Sequence, residues 1–342
     1  MTNVCSLILA AGEGKRMKSP YPKVLSLVAF KPMIKWVIDA LHESDIDNIG
    51  VVCGYKYEIL EDYLKNLNDG FNYETFVQNE RKGTAHAVIT ADDFLKKNVD
   101  GDILILAGDA PFIDKKIICD SFEFHKKNNN VATIISARLN NPYGYGRIVR
   151  NLLDGTITSI VEQKDADENT RTITEVNSGA YWFKVSELLN VIYDISNDNA
   201  QKEYYLPDAI RLLLKKNLNV DAFTTESENA ILGAHDKAQL NHLNMLARDF
   251  ILNFHMKNGV EMPLKDGIII GKDVIIKNSA CILPGSIIKG DSYVGDNSTI
   301  GPNAFLENCC VGDNVNLSFV KCKNYNFDAG KVVEPFKEYI ND

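Results

Sequence analysis

The sequence predicts an α/β protein in which a mostly parallel sheet covered by helices is followed by a parallel β-helix. Short apolar runs alternate with amphipathic stretches over roughly the first 230 residues, and several of these runs end at glycine. From Ile270 onward an apolar residue returns every six positions. The first pattern belongs to strands buried on both faces, the second to a coil of short flat sides.

The elements follow in order. Val4–Leu9 is an apolar run that opens into Ala10, Ala11 and Gly12, and residues 33–41 have helical spacing. Ile49–Cys53 is a second short strand, followed by a helical pattern over 57–67, and residues 103–106 form a third strand that ends before Gly108. Such strands between amphipathic helices predict a parallel sheet, and ligands then bind beyond its carboxyl edge. The residues just after Leu9 and Leu106 are therefore the first candidates for a site.

Leu240, Leu243, Leu246, Phe250 and Phe254 share a helical stripe and predict a linker helix that packs on a neighbour. Beyond it, Ile270, Ile276, Ile282, Ile288, Val294, Ile300 and Leu306 are six apart without a slip. Two residues before each of the last six stand Val274, Ala280, Ser286, Ser292, Ser298 and Ala304. In a β-helix the apolar residue fills the narrow core, the small one sits at a crowded position, and glycines such as Gly271, Gly295 and Gly301 relieve the corners. The expected divisions are an α/β domain over 1–236, a linker helix over 237–258, a hexapeptide β-helix over 259–336 and a tail over 337–342.

A net charge of −9 argues against a nucleic-acid binder but leaves room for a local cationic site for small anions. No stretch is long enough to predict a membrane span, and the first apolar run is too short for a signal peptide. Seven cysteines without CxxC pairing predict reduced thiols in a cytoplasm.

The densest cluster of chemistry is Leu9-Ala10-Ala11-Gly12-Glu13-Gly14-Lys15-Arg16-Met17 with Lys23 close behind. It leaves a strand, turns through two glycines and carries Lys and Arg, so backbone N–H groups and cations can meet a polyphosphate. It is not a Walker A loop, because Arg16 stands where Ser or Thr should follow the lysine, and it lacks the third glycine of a dinucleotide fingerprint. Asp109 follows an apolar strand and Gly108, a usual place for a carboxylate that holds Mg²⁺ together with phosphate oxygens and water.

With Lys23, the run from Leu9 to Met17 resembles the signature of the nucleotidyltransferases that make NDP-sugars. Further pieces resemble the bacterial N-acetylglucosamine-1-phosphate uridyltransferases. They are Gln78 with Gly83-Thr84-Ala85-His86-Ala87, Gly108-Asp109-Ala110-Pro111, Gly144-Tyr145-Gly146-Arg147-Ile148, Glu162-Gln163-Lys164-Asp165, Glu175-Val176-Asn177-Ser178-Gly179 and Glu203-Tyr204-Tyr205-Leu206-Pro207-Asp208. They occur in family order over about the first 240 residues. The resemblance implies a Rossmann-like nucleotidyltransferase domain, a linker helix and a short left-handed β-helix.

It also implies roles. Leu9, Ala11, Gly12 and Gly14 would hold the nucleotide, and Arg16 and Lys23 would meet its phosphates. Gln78, Gly83 and Thr84 would read the uracil. Gly146, Glu162, Lys164 and Asn177 would hold the N-acetyl sugar, and Asp109 would hold Mg²⁺. The reaction implied joins UTP to N-acetylglucosamine 1-phosphate, the sugar phosphate displacing pyrophosphate in line at the α-phosphorus. It asks the protein for alignment and charge neutralisation rather than for a covalent intermediate.

This chain departs from the family pattern at two places. The family's second metal ligand is an asparagine, and here the run reads Gly233-Ala234-His235-Asp236. An imidazole suits softer divalent ions better than Mg²⁺. Four outcomes stay open: His235 ligates another metal such as Mn²⁺ or Co²⁺, Asp236 takes over, Asp109 holds the ion with water, or activity is weak or lost. Ala107 stands where close relatives carry tyrosine, which predicts looser packing around the uridine. The family's acetyltransferase residues lie beyond the region matched, so no acetyl transfer is expected and the β-helix is expected to assemble a homotrimer. The alternatives are a pyrophosphorylase for another nucleotide and sugar phosphate, or a non-catalytic binding homologue.

Overall fold

The computed structural model describes residues 3–341; the first two residues of the expected first domain, and Asp342 in the expected tail, lie outside them. By its contacts the chain divides into two compact units. One runs up to Ser26 and continues over Met33–Lys237, and the other joins Leu27–Pro32 to the chain from Ala238 onward. The short stretch Leu27–Pro32, which the sequence reading leaves inside the first domain, thus packs within the second unit.

The described residues of the first unit form a nine-stranded sheet. Its strands are β1 (Val4–Leu9), β2 (Ile49–Cys53), β3 (Tyr73–Val77), β4 (Asp102–Ala107), β5 (Ala132–Arg138), β6 (Gly146–Arg150), β7 (Ile157–Val161), β8 (Glu175–Lys184) and β9 (Val220–Thr225). The main order is β9-β5-β8-β4-β1-β2-β3, with β6 paired to β8 and β7. β1 pairs in parallel with both β2 and β4, as does β2 with β3 and β5 with β9. β8 runs against both β4 and β5, so the sheet is mostly parallel with one reversed central strand. This is the Rossmann-like, mostly parallel α/β architecture that the sequence predicts.

The strand period of two sorts the core onto two faces. Leu7, Ile103, Ile105, Tyr181 and Phe183 pack with Ala85, Val88 and Leu188 on one side. Their chain neighbours Ile8, Leu104, Leu106 and Trp182 pack on the other side with Ile34, Val37, Ile38 and Leu41. Those last four come from the helix Met33–Glu43, and helix Tyr57–Lys65 adds Leu60 and Leu64. Continuous apolar strands were required because both faces are covered.

In the second unit, helix Lys237–Lys257 buries Leu243, Ala247, Ile251, Leu252 and His255. The expected stripe is therefore rotated: Phe250 and Phe254 are 44% and 63% exposed. Counting only large apolar residues hid a face built on small Ala247 and on two polar residues that grip backbone. Asn244 accepts from the Ala29 amide at 3.0 Å and donates to Leu27 O at 3.1 Å, while Arg248 Nε donates to Ile268 O at 2.7 Å.

The chain then winds through three stacks of parallel two- and three-residue strands, a short left-handed β-helix. Ile270, Ile282, Ile288, Val294, Ile300 and Leu306 are fully buried while Ile276 is only partly so, and Ala280, Ser286, Ser292, Ser298 and Ala304 are buried two positions before the last five. Ser292 and Ser298 join successive coils, since their hydroxyls accept from the Cys309 and Val315 amides at 3.0 Å. After Leu306 the core positions move to Val311, Leu317, Cys322 and Phe327, so the strict six-residue period relaxes. The corners also differ from expectation. Of the glycines expected at corners, Gly301 has positive φ but Gly271 and Gly295 do not, and three residues before the core position left-handed backbone falls on Gly267 and Gly285 and then mainly on asparagine, at Asn297, Asn303, Asn308, Asn314 and Asn324. Asparagine tolerates that conformation because its short amide bonds locally. Glu338–Ile340 pairs in parallel with Lys321–Lys323, so half of the expected tail continues the ladder. Among the described residues no helix is long and apolar enough to cross a membrane.

Buried charge makes the first unit acid-sensitive. Burial pushes the Glu175 carboxyl up, but Arg150, bonded to both of its oxygens at 2.8 Å, and Ser136 outweigh this and hold it below its ordinary value. A depressed carboxyl contributes stability above its unfolded value, about 4.3, and loses it as pH falls through the lower folded value. Thermal melts should therefore fall as pH drops below about 4.3. Glu175→Gln should lower stability at pH 7 by about 1–3 kcal/mol and flatten that acid slope.

Candidate active site

The site lies along the carboxyl edge of β1, β2, β3 and β4. Leu9 O accepts from the Gly108 amide at 3.0 Å and Val52 O accepts from the Ala10 amide at 2.9 Å, so the ends of these strands are tied side by side. The chain then leaves the sheet through buried Ala11 and exposed Gly12. Gly14 has φ +63°, and a Cβ there would stand 2.9 Å from the Lys23 Cβ. Glycine is needed on both counts, and its absence of a side chain lets the loop lie directly on the Lys23 stem. A 3₁₀ turn over Lys15–Met17 follows, with Arg16 exposed.

Three groups converge behind this loop. The Lys23 ammonium bonds Asp109 Oδ2 and stands 3.3 Å from His235 Nδ1, which is itself 3.6 Å from Asp109 Oδ2. Asp109 is buried, while the His235 side chain is half exposed. Burial alone would push the Asp109 carboxyl up, but the charge of Lys23 and its hydrogen bond outweigh it and hold it below the usual carboxylate value. Burial, then the Lys23 charge, push the His235 imidazole down against the pull of Asp109, with Arg16 adding to the lowering. A neutral ring accepts from the ammonium at Nδ1. The ammonium therefore occupies a seat for a cation between an anionic oxygen and an imidazole lone pair. Gly233 lies close by, where a Cβ would stand 3.2 Å from Asp109 O and 3.4 Å from its Oδ2.

Gln78 extends from the end of β3, its amide N–H bonded to Cys53 O at 2.8 Å. Its side chain is buried and donates from Nε2 to Gly83 O at 3.1 Å, with His86 Nδ1 at 3.0 Å. Thr84, expected to read a base, accepts at its hydroxyl from the Leu206 amide at 2.9 Å and pins its loop. Arg81 pairs with Glu13 at 2.8 Å, linking this loop to the glycine turn.

Gly146, Glu162 and Asn177 come together through strand pairing. Gly146 stands opposite Asn177, and its missing side chain leaves room for the Glu162 carboxylate, which a Cβ would approach to 3.0 Å. Burial first, and then Asp165, push the Glu162 carboxyl up against the pull of Arg147. Asn177 sits at a bulge in β8, with Nδ2 donating to Tyr181 OH at 2.6 Å and Oδ1 accepting from the Gly179 amide at 3.1 Å. Lys164 is turned to Gln201 Oε1, 2.5 Å away. Asp236 acts on the His235 ring by its charge.

Sequence reasoning gave no role to His86, Gly233, Arg147 or Gln163. Buried Arg147 donates to Tyr145 O and, at 2.9 Å, to Gln163 Oε1, which also accepts from the Gly144 amide at 3.1 Å. His86 and Arg147 stood inside the motifs already quoted, but their partners are set by loop folding. Ala107 lines a small apolar cavity with Ala110, Ser178 and Ile231.

Fold and site define a sugar-1-phosphate nucleotidyltransferase. The chain belongs to the nucleotidyl transferase family, which it matches over residues 5–234, and residues 273–308 match the bacterial transferase hexapeptide repeat. It is 38% identical to the bifunctional protein GlmU of Acetivibrio thermocellus over 98% of this chain and 71% of that protein. Against the bifunctional protein GlmU of Thermoanaerobacter pseudethanolicus it is 39% identical over 93% of this chain and 68% of the relative. A solved Bacillus anthracis structure, described as a glucose-1-phosphate thymidylyltransferase, aligns with a TM-score of 0.58 at 21% identity. It covers 72% of this chain and 96% of its own, and shows the shared fold.

Gly14→Ala tests the loop. A left-handed alanine costs about 1–2 kcal/mol, and its methyl would displace Lys23. Turnover, read as pyrophosphate release, should fall on the order of ten- to a hundredfold, with a lower melting temperature.

Proposed function

We propose that the protein joins UTP to N-acetylglucosamine 1-phosphate, releasing pyrophosphate and forming UDP-N-acetylglucosamine. The observation that carries this is the convergence of Lys23, Asp109 and His235 beneath a glycine turn that rests on the Lys23 stem. An ionised buried carboxylate and a cation seat at the carboxyl edge of a parallel sheet are what a triphosphate with its counter-ion requires.

Two further acceptors support the substrate assignment. No protein donor among the described residues reaches Gln78 Oε1, and none reaches the Glu162 carboxylate. The first matches the N3–H of uracil, the second the hydroxyls of a sugar. The thymine ring presents the same N3–H, so a thymidine nucleotide is the second reading.

In the reaction, a sugar-phosphate oxygen attacks the α-phosphorus of UTP while the bond to the bridging oxygen of pyrophosphate breaks in line. The attacking oxygen is already ionised, so no protein group removes a proton. The glycine-turn amides hold the phosphates, Lys23 and Arg16 offset the charge that develops on them, and Glu162 and Gly146 orient the sugar. Asp109 would hold Mg²⁺ with His235 beside it, and that ion would supply further charge neutralisation at the phosphates. The free cysteines fit a cytoplasmic setting.

A panel of UTP, dTTP, CTP, ATP and GTP against several sugar 1-phosphates tests the reading, with Mg²⁺, Mn²⁺ or Co²⁺ supplied. UTP with N-acetylglucosamine 1-phosphate should give the fastest pyrophosphate release. Asp109→Ala should reduce it by about 10²–10³-fold, and wild-type turnover in that variant would remove the metal assignment. His235→Asn should shift metal preference toward Mg²⁺, read both in turnover and in Mn²⁺ binding by electron paramagnetic resonance.

The β-helix is proposed to assemble a homotrimer, and exposed Phe250 and Phe254 offer apolar surface for it. Sedimentation equilibrium should return three chains per particle; a monomer would contradict this.

A further inference from the structure

We infer that His86 is a positioning residue for base recognition, which locks the Gln78 amide with its oxygen toward the ligand. The inference rests on the uridylyl-transfer reading and names what sets its base preference.

The argument begins with valence. An amide nitrogen has no lone pair to accept with, so where Gln78 Nε2 meets His86 Nδ1 at 3.0 Å the amide donates and the ring nitrogen accepts. His86 is then neutral at Nδ1, with its proton on Nε2. The second Nε2 hydrogen goes to Gly83 O at 3.1 Å, the carbonyl that also takes the Ala87 amide at 3.1 Å as helix Thr84–Thr90 begins. Both hydrogens of the amide are thereby committed to acceptors. Flipping the amide would set Oε1 against the Gly83 carbonyl oxygen in a buried place and would also require the imidazole to move its proton from Nε2 to Nδ1.

The remaining polar atom is Oε1. No protein donor among the described residues reaches it, and it is not a sealed, unpartnered atom. Gln78 itself is 5% exposed, so this oxygen is the one part of the side chain left to a ligand. A fixed acceptor there takes uracil and thymine, which carry N3–H. It rejects cytosine, whose N3 presents a lone pair. His86 thus acts through Gln78 and need not touch the base. Its place on the first turn of the helix, and the Gly83 turn before it, set the distance to Gln78.

The test measures kcat/KM for UTP, dTTP and CTP in the full chain carrying His86→Phe, which removes the lone pair but keeps a ring. The preference for UTP over CTP should fall about tenfold, the worth of one hydrogen bond, while the UTP to dTTP ratio stays as in the wild type. His86→Gln, whose amide oxygen can accept in place of Nδ1, should recover most of the preference. Calorimetric binding of UMP and CMP reads the same discrimination without turnover. An unchanged UTP to CTP ratio in His86→Phe, or a parallel loss for all three nucleotides, overturns the inference. Gln78→Leu separates the two levels. If it abolishes the preference while His86→Phe keeps it, only the role of His86 falls; if it too keeps the preference, the assignment of Gln78 to the base falls as well.

Discussion

A carboxylate taken out of water and held ionised by an ammonium is the constraint on which the rest of the site depends. Asp109 is buried at the end of β4, where desolvation alone favours its neutral form. Lys23 reverses that balance, and it can do so only because Gly14 lets the loop after β1 lie against its stem. Each member needs the others: without the lysine the buried charge is uncompensated, and without the glycine the lysine stem has no room. His235 joins as a neutral acceptor, so the ammonium sits between two electron-rich atoms rather than one.

The parallel sheet makes this arrangement possible. Parallel pairing brings the carboxyl ends of β1, β2, β3 and β4 to one edge, with Leu9 opposite Val52 and Ala107, and Cys53 opposite Val77. Segments far apart in the chain then leave the sheet side by side: the glycine turn, Gln78 and Asp109. The reversed strand β8 brings Asn177 and its partner Gly146 toward the same region, and the bulge at Asn177 turns its amide inward to Tyr181. The polar groups divide into those already satisfied by the protein, such as Asn177 and Thr84, and those left open, such as Gln78 Oε1 and Glu162. Open acceptors at a sheet edge are the groups that can recognise a ligand without first breaking an internal bond.

The second unit obeys a different rule. Its core is one residue wide, so a side chain is buried at every turn and the spacing of those side chains is the fold. Serine hydroxyls at the crowded position serve as bridges between coils rather than as fillers, because each bonds a backbone group of the next coil. The asparagine corners let the chain turn sharply while their amides reach neighbouring coils, as Asn308 does to Asn324 at 3.1 Å.

Much of this was legible in the residues alone, for physical reasons that are local. Apolar runs between amphipathic stretches determined a covered sheet, the six-residue repeat from Ile270 to Leu306 determined a β-helix, and the order of the motifs around Gly12, Asp109 and Glu162 determined the nucleotidyltransferase resemblance. The tertiary structure decided everything that depends on which distant side chains meet. It turned the Lys237–Lys257 helix onto Ala247 and Arg248 instead of Phe250 and Phe254, because close approach and backbone-gripping polar groups outweighed the count of large apolar residues. It committed Thr84 and Lys164 to protein partners, set His86 against Gln78, and placed Lys23 between Asp109 and His235. Periodicity is written along one segment, whereas a hydrogen bond between residues 23 and 235 exists only once the sheet has brought their segments together.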